Sequence, residues 1–137
     1  MTTYKFYDTS SLLADHKIFF KQEPIAISSI TLKELENIKT SNSKDSTIKY
    51  KARKLLHMFA EHPDLYTVWI FKHSMMDPIF DKDLGVNDDL RILATAIDYE
   101  NKVHPDNVTF VTNDFALYNI ANLFFGEDSI MYIEETV

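Results

Sequence analysis

Carboxylates at the junctions between apolar runs and helical segments carry the chemical interest of this sequence. Asp8 ends the run in "YKFYDTSSLL", and Asp114 follows the run in "VTFVTNDFALYNI". Glu34 stands in "SSITLKELENIK", while Asp88 and Asp89 open "NDDLRILATAI". Anions gathered from separate segments repel one another and resist desolvation unless positive charge is near. No lysine or arginine adjoins Asp8 or Asp114. A hard divalent cation, Mg²⁺ or Mn²⁺, relieves that conflict, because it prefers carboxylate oxygens and keeps several waters. Such a site acidifies water for in-line attack on a phosphodiester. Thr9, Ser10, Thr112 and Asn113 are placed beside the acids, where they could orient them or the waters they hold.

Every one of these acids also sits where a helix cap belongs. Thr31-Leu32-Lys33-Glu34 matches a capping box, with Glu34 expected in the first turn, and Asn87 or Asp88 is a ready N-cap. Asp114 can cap the helix it begins, and acids in a first turn complement the helix dipole. From residue types and spacing alone, caps and a metal site both stand.

The elements that would position these acids read as an alternation. Five short β-branched or aromatic runs, 3–7, 24–28, 66–71, 108–112 and 130–133, have the character of buried strands. Between them, Leu32, Leu35 and Ile38 predict a helix over 31–39. Leu55, Met58 and Phe59 predict one over 46–61, and Leu90, Leu93, Ala94 and Ile97 one over 88–101. A last helix carries Phe115, Leu117, Ile120 and Leu123. Asp89 shares a face with Ile92, Leu93 and Ala96, which turns it inward. Alternating strands and helices predict an α/β fold: a single three-layer domain over 1–137, with a mainly parallel five-stranded sheet flanked by helices. In such a sheet the strand-to-helix turns gather at the carboxyl ends of the strands, where ligands bind.

Composition narrows the functional classes. The chain has 137 residues, 45% of them hydrophobic, which suits one ordered domain. A net charge of -7 argues against attraction to nucleic acid by bulk charge. With only Gly85 and Gly126, no glycine-rich phosphate loop can form. The absence of cysteine removes disulfides, thiolate metal sites and thiol nucleophiles, and favours a cytoplasmic setting. No run reads as a signal peptide or a membrane span.

Other features are weaker. The stretch "DKDLGVNDD" fails the calcium-loop register, with Val86 where glycine is needed and Ile92 where glutamate is. His16, His57, His62, His73 and His104 lack metal-ligand spacing. Lys39, Lys44, Lys49, Lys51, Arg53 and Lys54 form the one basic concentration. Lys39, Lys49 and Arg53 are candidates for contacts to a phosphate backbone, against a solvated helix face. Tyr50 or Tyr118 could stack a base, although packing explains either. A phosphoacceptor receiver needs an aspartate after the third strand and a lysine after the fifth, and "VWIFKHS" and "IMYIEETV" supply neither. A haloacid-dehalogenase-like phosphatase needs a second aspartate where Ser10 stands.

Taken in order, "YDTSSLL", "ITLKELENIK", "NDDLRILATA" and "VTND" resemble the motifs of the PIN-domain nucleases, across nearly the whole chain. The "KELENIK" helix followed by "KARKLL" is most similar to the PIN module of PhoH-type proteins, here expected without an ATPase after it. The resemblance implies a Mg²⁺- or Mn²⁺-dependent ribonuclease with Asp8, Glu34, Asp89 and Asp114 as its acidic quartet. Asp89 is preferred because it lies three residues before Ile92 of the "ILA" segment, and Asp88 is the alternative or auxiliary ligand. The arginine that often follows the fourth acid has no counterpart in "DFALYNIAN". A toxin of a toxin–antitoxin pair or an RNA-turnover enzyme is implied. Its partners would be RNA, a protein antitoxin and a second copy of the chain. The alternative is a catalytically inactive PIN-fold interaction or RNA-binding module.

Overall fold

Strand β1 (Thr3–Tyr7) is the middle of a five-stranded sheet, pairing with β2 (Ile25–Ser28) on one side and β4 (Asn107–Thr112) on the other. β3 (Tyr66–Trp69) closes the β2 edge and β5 (Ile130–Tyr132) the β4 edge, giving the order β3-β2-β1-β4-β5. Every pairing is parallel. This is a computed structural model that describes residues 2–15, 17–18 and 23–134; His16 lies outside them. Among the described residues, no helix is long and apolar enough to cross a membrane.

The helices are α1 (Thr9–Ala14), α2 (Ser29–Thr40), α3 (Ser46–Glu61), α4 (Asp77–Asp81), α5 (Asp88–Val103) and α6 (Phe115–Ala121). Short 3₁₀ turns cover His73–Met76 and Glu127–Ser129. Side chains alternate across a strand, and that alternation divides the core in two. Phe6, Ala26, Val108 and Phe110 face α5 and α6 with Leu93, Ala96, Tyr99, Leu117 and Ala121. Tyr7, Ile25, Ile27 and Val111 face α1, α2 and α3 with Leu12, Leu35, Ala52, Leu55 and Phe59. Because both faces are covered, the strands are apolar at consecutive positions, as parallel sheets require.

Differences from the sequence reading have local causes. Strand β3 ends at Trp69, before 71, because the Phe71 N–H turns out of the ladder and donates to Ser29 Oγ at 2.9 Å. Helix α2 starts at Ser29, since Ser28, the last residue of β2, is itself the N-cap and accepts from Ile30 N–H. The Thr31–Glu34 capping box therefore does not form, and Glu34 lies in the second turn. In α6 the inward stripe is Leu117 and Ala121, with Phe115 and Leu123 exposed. At the β3 edge, Trp69 Nε1 donates to Asp98 at 2.9 Å and the ring packs edge-on against Tyr99.

Candidate active site

The strand order reverses direction between β1 and β4, the position in an open parallel sheet where carboxyl-end loops part to leave a crevice. Asp8 leaves β1 there and Asp114 follows β4. The Asp8 N–H still donates to Val111 O at 3.1 Å, so its backbone is fixed by the ladder. Its side chain caps α1: Oδ1 accepts from Ser11 N–H at 2.8 Å. Ser10 Oγ stands 2.9 Å from both carboxylate oxygens, and Thr112 Oγ1 donates to Oδ2 at 2.6 Å. Asp8 is only 2% exposed. Burial pushes its carboxyl above the ordinary range, and the bonds from Thr112, Ser11 and Ser10 pull the other way without cancelling it.

Glu34 is reached through Thr9, whose Oγ1 donates to Oε1 at 2.6 Å and lies 3.1 Å from Thr31 Oγ1. Burial raises the Glu34 carboxyl first, the Thr9 bond opposes this, and repulsion from Asp88, Asp89 and Asp8 raises it further. Asp89 is exposed over much of its surface, yet desolvation still heads the causes that raise it, followed by Asp114 and Asp88. That exposure corrects the expectation that its helical face turns Asp89 inward. Asp114 caps α6, with Oδ1 accepting from Ala116 and Leu117 N–H at 2.9 and 3.2 Å. Its own N–H donates to Thr112 Oγ1 at 3.1 Å.

The acids from four segments therefore feel one another in a chain running from Asp8 through Glu34 and Asp89 to Asp114. Among the described residues, Asp8, Glu34 and Asp89 have no ion pair with lysine or arginine, whereas Asp88 is bound to Arg91 Nη1 at 2.8 Å. Asn87, not Asp88, caps α5, accepting from Leu90 N–H at 2.8 Å. Hard oxygen donors under mutual repulsion suit Mg²⁺ or Mn²⁺ by their chemistry. Among the described residues, no three His, Cys, Asp or Glu side chains stand close enough to form a ready cage for an ion.

Three hydroxyls bond to these acids directly. Thr9 touches Glu34, Ser10 and Thr112 touch Asp8, and Ser10 Oγ accepts from Asn113 N–H at 3.0 Å. The Asn113 side chain points away from the acids, donating to Ile133 O at 2.6 Å. Lys39 and Arg53 line a groove of about 250 Å³ with Glu36 and His57, and Lys39 pairs with Glu36 at 2.9 Å. None of the acids, nor any residue bonded to them, lines that groove. Tyr118 is half-buried against Tyr132, while Tyr50 is exposed on α3.

Lys51 is a cation that sequence reasoning did not single out. It lines a groove of about 220 Å³ with Leu13, Ile48, Ser10 and Asn113, the last two shared with the acid site. Its Nζ donates to Leu13 O at 3.2 Å, near the end of α1. The signal was available: Lys51 stands three residues after Ile48 and four before Leu55, on the inward stripe of α3. A larger cavity of about 370 Å³ lies under β3, lined by Val68, Trp69 and Asp98. Asp98 is already engaged there by Trp69 Nε1 at 2.9 Å.

The PIN domain family matches residues 6–124 of the chain. No curated protein sequence matches it. Among solved structures, the chain is similar to a member of the VapBC family of toxin–antitoxin systems, VapBC-5 from Mycobacterium tuberculosis. The two are 18% identical, the match covers 94% of this chain and 97% of that one, and the TM-score is 0.52. At that identity the likeness is one of fold.

Proposed function

The chain belongs to the PIN-domain family, and on that premise we propose that it is a metal-dependent endoribonuclease. Asp8, Glu34, Asp89 and Asp114 are its acidic quartet and Mg²⁺ or Mn²⁺ its cofactor. The observation that carries this reading is electrostatic. Acids from four segments are set against one another, three of them raised by burial and two also by their neighbours, and among the described residues none of those three has a basic partner. The N-caps at Asp8 and Asp114 account for part of this arrangement, but not for the repulsion among Glu34, Asp89 and Asp114, which a divalent cation would relieve. When bound, that cation supplies Lewis acidity and neutralises charge during in-line displacement at phosphorus.

The chain's own residues prepare the site. Thr112 and Ser10 fix the Asp8 carboxylate, and Thr112 also positions the start of α6 through the Asp114 N–H. Thr9 sets the Glu34 carboxylate by one short bond. Asp88 is held by Arg91 and serves as an auxiliary acid rather than a member of the quartet. Lys51 supplies a phosphate contact next to Ser10 and Asn113, with Lys39 and Arg53 in the α2–α3 groove and Lys49 on α3 as further backbone contacts.

The fold likeness to a member of a toxin–antitoxin family supports a toxin role with a protein antitoxin; a cytoplasmic setting and homodimerisation belong to the proposal without support from that likeness. The "KELENIK" and "KARKLL" helices support the PhoH-type branch of the family, and residues 1–137 are read as one domain. A second reading, an inactive interaction module, draws on the fact that Asp8 and Asp114 do serve as N-caps. The deciding experiment incubates RNA with the protein in Mg²⁺ or Mn²⁺ beside an Asp8→Asn variant. Asparagine caps as well as aspartate but removes a negative ligand. Cleavage lost in the variant, with its melting temperature kept, is the expected result. Equal cleavage by both rejects the quartet, and no cleavage by either favours the inactive module.

A further inference from the structure

Phe115 is 62% exposed, the most exposed of the large apolar side chains described, and it immediately follows Asp114. A lone exposed phenylalanine needs no explanation, but this one is not loose. Its ring lies on Tyr132 of β5 with centroids 3.9 Å apart and planes within 6°. That near face-to-face stack is the geometry ring quadrupoles favour least when two rings are free to choose. Tyr132 is in turn braced edge-on by Tyr118 at 88° and paired in register with Thr112, the residue that bonds Asp8. One face of Phe115 is therefore covered, its orientation is fixed, and the exposed area belongs to the other face and the edges.

We propose that the Phe115–Tyr132 stack is a base-binding subsite: the open face of Phe115 takes a nucleobase of an RNA strand whose backbone passes Asp114. The proposal rests on the ribonuclease reading. It adds where one base is held and why stacking, rather than a basic surface, helps a chain of net charge -7 retain a polyanion. Every base has a π-face, so the subsite grips without reading sequence. The rival occupant is a protein surface, since Leu123 (55% exposed), in the turn after α6, and Met131 (40% exposed), beside Tyr132 in β5, are exposed apolar side chains too.

The test measures binding of a fluorescein-labelled single-stranded oligoribonucleotide by anisotropy in Ca²⁺, with the RNA shown intact on a gel. A second probe of the same length carries abasic sites. Phe115→Ala should weaken binding of the normal RNA about 5- to 150-fold, equivalent to ~1–3 kcal/mol per stacked base. The same variant should leave affinity for the abasic strand unchanged, and Phe115→Trp should restore it for the normal one. If Phe115→Ala binds normal RNA like the parent, or loses both probes equally, the subsite is wrong while the nuclease reading survives. If the parent binds neither probe, the nuclease reading fails and this proposal with it. If the parent elutes as a dimer that Phe115→Ala and Leu123→Ser each convert to monomer, the face is a protein interface and the proposal is overturned.

Discussion

Thr112 Oγ1 donates to Asp8 Oδ2 at 2.6 Å, joining residues 104 positions apart at the point where β1 and β4 release the chain. The same hydroxyl accepts the Asp114 N–H. Hydrogen bonds to charged groups contribute about 1.5–3 kcal/mol. Thr112→Val, which keeps the shape and loses the hydroxyl, should destabilise the protein by about that much in urea melts, and Thr112→Ser by much less. Equal stabilities for the two variants would mean the bond contributes nothing.

Proton linkage gives a second prediction. Asp8, Glu34 and Asp89 are raised in the folded protein above the ordinary values of 3.8 for aspartate and 4.5 for glutamate. Between those values and the raised ones, the native state holds more protons than the unfolded chain, so stability falls as pH climbs. Their stabilising contribution is complete below the ordinary values and lost as pH passes the folded ones. In chelator, the melting temperature of the parent should decline across this window relative to Glu34→Gln. A parent-minus-variant difference that does not change with pH would show that neither burial nor its acidic neighbours raise Glu34.

Asp88 and Asp89 should separate in a Mn²⁺ titration. At a hundred times its dissociation constant, a bound ion adds about 2.7 kcal/mol of stability. Asp89→Asn should abolish most of the Mn²⁺-induced rise in melting temperature. Asp88→Asn should keep it, because that carboxylate is committed to Arg91. The reverse ranking would make Asp88 the ligand, and a flat melting temperature in the parent would favour the inactive module.

Lys51 should matter more to RNA than the cations of the α2–α3 groove. Each phosphate contact in a single strand contributes about 0.7 to the slope of log affinity against log salt. Lys51→Met should lower that slope by about this amount, whereas Lys39→Met should lower it less, because Lys39 lines that groove and is paired with Glu36. Lys51→Arg, which can still reach Leu13 O, controls for the loss of that helix-end bond.

Much of this architecture was legible because its period is short. Consecutive apolar positions such as Ile25 to Ile27 can only be a strand covered on both faces or a buried turn of helix, and the flanking helical stripes settle which. The acids were legible because each follows a strand. What stayed hidden depends on tertiary placement. Ser28 serves β2 and α2 at once, which displaced the apparent capping box at Thr31. The 3₁₀ turn at His73–Met76 and helix α4 bury only Met76 and Ile79, too few positions to show a period. Phe115 looks like part of an apolar stripe, and only the position of Tyr132 shows that it faces solvent.

Trp69 is the only tryptophan in the chain. It sits in the outermost strand on the β2 side, its indole N–H held by Asp98. Two strand spacings, on the order of 10 Å, separate β3 from β1. Its fluorescence therefore reads the docking of one sheet margin onto α5 from a place where no proposed ligand binds. An emission change on adding cation or RNA would mean that the signal had travelled through the sheet, whereas an unfolding titration should shift the spectrum directly.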